Sequence, residues 1–119
     1  TYLDVSGAMA FGVRRPAAAP RADFGWVPWD PGTDAVGAAW NQLGFRPQSA
    51  VRFGYVVTAG LPGAAGTGLP ALLVDTTDHW WAAVAYGNID VSAVSAEADC
   101  SKYYLSSSRN VMVVLDETR

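Results

Sequence analysis

His79 is the one histidine in this chain, and it stands between Asp78 and Trp80. With a serine such as Ser92 as nucleophile, these residue types could in principle form a base, its orienting carboxylate and an attacking hydroxyl. Such a set works only if three groups converge in a pocket, and no Gly-x-Ser-x-Gly turn is present to expose the serine. A strand-edge histidine with local hydrogen bonds is the simpler reading of His79. The carboxylates raise two further chemistries. Calcium takes about six to eight oxygen ligands from a compact, acid-rich loop. Asn88, Asp90 and the Ile89 carbonyl could contribute, but Val91 and Ala93 stand where more acids are needed, so a capped turn is expected there. Glu97, Asp99, Asp116 and Glu117 could suggest a glycosidase pair, yet nothing in the sequence sets a fixed separation or a cleft. One histidine and one cysteine do not make a zinc site. The glycine-rich stretch 59–70 lacks the Gly-Lys-Ser/Thr that a phosphate loop requires. No catalytic residue, metal ligand or cofactor is assigned, and the expectation is a protein that is not an enzyme.

The elements that would position any site are easier to read. Val36, Ala39, Trp40 and Leu43 fall at i, i+3, i+4 and i+7, one apolar face of a short helix. Thr33 or Asp34 can cap its start, Gly44 suits a left-handed end, and Pro47 forbids continuation. From Val51 the period becomes two, with Val51, Phe53, Tyr55 and Val57 on one face and Arg52, Gly54, Val56 and Thr58 on the other. His79–Tyr86 is apolar on both faces, which predicts a central strand. Ala71–Val74 is read as a short strand. Lys102–Leu105 and Val111–Leu115 close the sheet around a turn at Ser106–Asn110. Residues 12–31 form a Pro/Trp-rich connection pinned to the domain, and 59–70 a glycine-rich loop. The expected fold is one α+β domain over residues 1–119, an antiparallel sheet of about four strands with a short helix. Trp40, Leu43, Phe45, Phe53, Tyr55 and Trp80 are expected to hold it together.

Composition narrows the function. The chain has 119 residues and half of them are hydrophobic, which excludes a disordered tail. Only 16% are charged, against about 25% in an average soluble domain, and the net charge is −3. Arg14, Arg15 and Arg21 are too few for a nucleic-acid face. No run approaches the ~20 apolar residues that cross a bilayer. The lone Cys100 cannot form an internal disulfide and is expected to be a small buried hydrophobe. A weakly charged, aromatic-rich chain suggests apolar surface covered by a neighbour.

The segment Trp40-x-x-Leu43-Gly44-Phe45-x-Pro47, followed by Val51-Arg52-Phe53-Gly54-Tyr55, resembles the start of the globular head in type IV pilins and pilin-like proteins of the myxobacterial or related delta-proteobacterial type. There a Leu-Gly-Phe-x-Pro turn leads into an Arg-Phe/Tyr-x-Tyr strand. Ala85-Tyr86-Gly87-Asn88-Ile89-Asp90 is similar to a second motif, Ala-x-Gly-Asp-Leu-Asp, but its Asp/Gly-rich continuation is replaced by Val91-Ser92-Ala93-Val94. The resemblance spans Trp40 to Asp90. It implies a pilin-like head whose N-terminal hydrophobic helix is absent from this chain, either removed or supplied by a separate small helical chain. It further implies a structural subunit of an extracellular pilus-like filament at the cell surface, serving motility, adhesion or secretion. Its partners would be other pilin subunits in a homo- or hetero-polymer, with no nucleic acid and with a membrane only through that helix. Tyr2, Leu3, Val5, Phe11, Phe24, Trp26 and Trp29 are then the candidate subunit contacts. The alternative is a secreted carbohydrate-binding or adhesive module using exposed tryptophans, for which Trp80-Trp81 would leave one ring free because adjacent strand residues face opposite ways.

Overall fold

In the computed structural model the described residues are 11–64, 69–70, 73–94 and 96–115, with 109–112 described for their backbone. A helix, α1 (Ala35–Leu43), precedes four strands: β1 (Gly54–Gly60), β2 (Trp80–Gly87), β3 (Ser101–Ser106) and β4 (Arg109–Leu115). The strands form one antiparallel sheet in the order β1-β2-β3-β4. The domain is therefore α+β.

The helix forms where its signals stand. The Asp34 carboxylate accepts from the Gly37 amide at 2.9 Å, which satisfies one of the otherwise unpaired first-turn donors. Gly44 ends the helix in the left-handed region (φ 74°), where a side chain would be strained. Of the two capping residues open in the sequence, Asp34 is the one used. Its other oxygen meets the Arg15 guanidinium at 2.5 Å, and Arg15 also donates to the Pro31 carbonyl at 2.8 Å. Arg15 is buried and exchanges both main-chain hydrogen bonds with Tyr55. One arginine thus fastens the proline-rich connection to the helix start and to β1. Val27 makes the same exchange with Val51, so the connection is pinned along the outer side of β1.

The sheet has one closed face. Gly54, Val56 and Thr58 pair with Tyr86, Val84 and Ala82, and Tyr104 continues the row opposite Val84. Period-two alternation puts all of them on the same side. Val56, Ala82, Val84, Tyr86 and Tyr104 are buried there with Leu73 and Cys100, packed against Phe11, Val13, Leu69, Val74, Val94 and, on β4, Val113. Burying a Val- or Leu-sized side chain is worth about 1.5–3 kcal/mol, so this layer is the main source of stability. Trp80, buried at the β1–β2 end, lies so close to Gly60 that a Cβ there would sit 2.3 Å from the indole. Burial pushes the Cys100 thiol and the Tyr86 phenol above their ordinary pKa values, which keeps both protonated and, for the thiol, unreactive.

Several expectations need correcting. Strand β1 begins at Gly54, not Val51, because Val51 is engaged in its bridge to Val27. The main core lies on the Gly54–Val56–Thr58 face, opposite the face carrying Phe53 and Tyr55, which are only half-buried. Of the six residues expected to hold the core, Trp40 and Trp80 are buried, whereas Leu43 and Phe45 are exposed. The reason is that α1 stands beside the sheet and buries only its Trp40 side. Leu73 and Val74 form a bend and no strand, while residues 71–72 lie outside the described residues. The β3–β4 turn is also tighter than expected, two residues at Ser107–Ser108.

Candidate functional site

The opposite sheet face is left open. Tyr55 and Val57 on β1, Ala83 and Ala85 on β2, and Tyr103 and Leu105 on β3 share it by the same alternation. On the β1 side, α1 adds Trp40 and Leu43, and the residues after it add Gly44 and Phe45. Together these side chains line a trough of about 570 Å³. Its floor is made of alanines because β2 reads Trp-Trp-Ala-Ala-Val-Ala-Tyr-Gly, with Ala83 and Ala85 on this face. Its walls are bulky: Tyr55, Phe45 and Trp40 on one side, Tyr103 and Leu105 on the other. None of the lining residues carries a formal charge at neutral pH.

Ring packing sets the β1-side wall. Trp29, Trp40 and Phe45 form a cluster with centroid separations of 5.0–5.4 Å. Phe45 continues it to Tyr55 at 6.0 Å, and Phe53 links Tyr55 to Tyr103 and Phe24. Edge-to-face aromatic pairs of this kind add about 0.5–1.5 kcal/mol each beyond their burial, so the wall is stiff. Even so, Leu43 (46%), Phe45 (42%) and Leu105 (47%) remain open to solvent around the trough. Leu43 and Phe45 stand on one wall and Leu105 on the other, so three exposed apolar side chains border a single cavity.

The residues singled out in the sequence fall in different places. Tyr2, Leu3 and Val5 lie outside the described residues. Phe11 packs edge-to-face with Tyr86 at 5.1 Å, with the Arg14 guanidinium over its ring, so it serves the closed face. Phe24 is half-buried against Phe53, and Trp29 belongs to the trough wall. Trp26 alone among Phe11, Phe24, Trp26 and Trp29 stands well out, 58% exposed, with the Arg52 guanidinium 4.4 Å from its ring centre. Trp81 is also exposed, but it pairs with Ala59 near the far end of β1. Ala59 lies seven positions beyond Arg52, about 20 Å of extended chain, so Trp26 and Trp81 do not form a shared sugar platform.

The chemistry candidates do not converge. His79 precedes β2 and Ser92 follows it, with the eight residues of β2 between them, roughly 27 Å. His79 Nδ1 is 3.7 Å from the exposed Asp78 carboxylate. Ser92 donates to Asn88 Oδ1 and caps the turn after β2. Asn88 itself is fully buried: its amide donates to the carbonyls of Arg21 (3.2 Å), Ala22 (3.0 Å) and Ser92. That side chain is an internal brace tying the proline-rich connection to the end of β2. Among the described residues no three of His, Cys, Asp and Glu cluster as a metal site would require. No helix among them is long and apolar enough to cross a membrane.

Sequence reasoning named Trp40, Leu43, Phe45 and Tyr55 as core and passed over Val57, Ala83, Ala85, Tyr103 and Leu105. The available signal was that β2 is apolar on both faces. Such a strand reads as buried on both sides, whereas here one side is open. Comparison of the chain with protein-family models, curated proteins and solved structures finds no match.

Proposed function

We propose that this chain is the head domain of a pilin-like subunit, a structural building block of an extracellular filament whose neighbours cover the trough. The observation that carries the reading is the trough itself: an uncharged, aromatic-walled cavity on an otherwise complete sheet. The resemblance of the Trp40–Tyr55 segment to pilin heads supports it, as does the arrangement of one helix feeding a four-stranded antiparallel sheet. A filament subunit must bury apolar surface against its neighbours, and this domain keeps such surface without spending it on its own core. The partners are other subunits.

The test uses Leu105→Glu, which puts a charge on the wall of the trough at an exposed position. In the producing cells, the variant is expected to keep the melting temperature of the wild-type chain and to disappear from the sheared surface-filament fraction. Equal incorporation of the variant, or absence of the wild-type chain from that fraction, overturns the proposal. For the sugar-binding alternative, glycans should quench the fluorescence of the exposed Trp26 and Trp81; a filament subunit is expected to give no such response.

A further inference from the structure

We infer that the hollow between Arg14 and Arg21 binds a single oxyanion, a carboxylate or a sulfate ester of the kind that acidic sugars carry. This site uses neither the trough nor the exposed tryptophans, and it stands independently of the filament reading. The hollow opens in the Pro/Trp-rich connection and has a volume of about 510 Å³. Arg14, Arg21 and Asp23 border it together with Ala17, Ala18 and Val94. Alanine side chains end at Cβ, so room is left between the charged groups.

Arg14 differs from the two other arginines of the connection in how its charge is met. Arg15 is buried and paired with Asp34, and Arg21 is exposed and paired with Asp23. Arg14 is partly buried, yet no carboxylate of a described residue pairs with it. Its Nε donates to the Ala19 carbonyl at 2.6 Å and its Nη1 to the Phe11 carbonyl at 2.9 Å, and the Phe11 ring centre lies 3.8 Å from the guanidinium carbon. The ionisable side chains that act on it are the Cys100 thiol and the Tyr86 phenol, both protonated and therefore neutral. A cation drawn partly out of water is ordinarily balanced by an anion. Here the chain supplies none, and the guanidinium keeps N–H groups beyond those two bonds at the wall of the hollow.

The site is built in advance. The bond from Arg14 to Ala19 closes the loop on itself, and the Ala19 amide donates to the Pro16 carbonyl at 3.0 Å. On the far side, the buried Asn88 amide holds the carbonyls of Arg21 and Ala22. Groups already fixed lose little entropy on binding. Charge then selects the ligand. The Asp23 carboxylate is taken up by Arg21 and the Gly25 amide, so two guanidinium groups against one carboxylate leave one positive charge in excess. That excess suits one monoanionic group and not a polyanion. A planar guanidinium can bond two oxygens of the same oxyanion, which favours carboxylate and sulfate over chloride.

Nuclear magnetic resonance titration of the isotope-labelled chain tests this, with potassium sulfate and, separately, sodium glucuronate as probes and chloride holding the ionic strength constant. The Arg14 Nε–H signal and the amides of Ala17, Ala18 and Ala22 are expected to shift and saturate with at least one probe. Glucose, the neutral counterpart of glucuronate, should leave them in place. Ala18→Glu, at an exposed position of the wall, should weaken binding by roughly 10-fold or more, because it sets a second carboxylate where the anion sits. Arg14→Gln should remove the saturable shifts altogether. Thermal melting checks both folds, and Ala18→Glu decides the matter if Arg14→Gln melts early. Saturation by glucuronate alone identifies the group as a carboxylate, and by sulfate alone as a sulfate ester. Shifts that rise linearly with both probes, that spread over the whole surface, or that persist undiminished in Ala18→Glu overturn the inference. None of these outcomes bears on the filament reading, which the surface-filament fraction decides.

Discussion

The two faces of the sheet are built from the same kinds of residue and meet opposite fates. On the closed face, Val56, Val84, Tyr86 and Tyr104 lie under loop residues and are almost wholly removed from water. On the open face, Tyr55, Val57, Ala83, Ala85, Tyr103 and Leu105 are equally apolar, but α1 and Phe45 cover only one side of them. The difference lies in what crosses each face. The closed side receives the start of the described chain through Phe11 and Val13, and the loops around Leu69, Leu73, Val74 and Val94. The open side receives a nine-residue helix that stands at its margin. Apolar patterning is therefore a poor guide to burial when both faces of a strand carry it.

Stability measurements can break this comparison. The largest effect is expected for Trp40→Ala, since Trp40 is the one large side chain of the open side that is buried, and it anchors the helix and the aromatic wall. A loss of about 3–5 kcal/mol in chemical denaturation is expected. A loss below about 1 kcal/mol would mean that α1 is not fastened to the sheet as described. Next comes a paired test of the two faces. Leu73→Ala, beneath the closed face, should cost about 2–5 kcal/mol, and Leu105→Ser on the open face within about 0.5 kcal/mol. Similar costs for the two would show that the open face is packed by the chain itself and that no partner is needed.

The smallest effect is expected from acid. The Gly37 amide, and then the Arg15 guanidinium, hold the Asp34 carboxyl below the usual aspartate range; Asp23 is held low by the Gly25 amide and Asp75 by Thr77. A carboxyl with a depressed folded-state pKa binds fewer protons folded than unfolded. Its contribution is complete above the unfolded pKa of about 3.9 and fades as the pH falls through the lower folded value. The midpoint of unfolding should therefore hold steady from neutral pH down to about pH 4 and fall below it. The Asp34→Asn variant should flatten that fall. An unchanged acid profile in the variant would show that the Arg15–Asp34 link does not help to hold the connection in place.

Much of this was legible in the residues. The helix from Ala35 to Leu43, its cap at Asp34 and its left-handed end at Gly44 follow from local rules, because caps and turns are decided within four or five residues. The alternation of β1 was legible too, and so were β2 as a strand apolar on both faces, the hairpin of β3 and β4 and the burial of Cys100 and Trp80. The brace at Asn88 was not, since the carbonyls it binds belong to Arg21 and Ala22, more than sixty positions away. A buried polar side chain is recognisable only once its distant partners are in place.

By itself the sequence determined the helix with its cap and end, the main strand segments, and that both rows of β1 and β2 could be buried. Only the tertiary structure decided which row is covered. Periodicity divides a strand into two faces, but the sign of burial depends on which loops return over the sheet, and that is a long-range packing outcome. The same packing turned Leu43, Phe45 and Leu105 from core candidates, or unremarked residues, into the rim of an open trough.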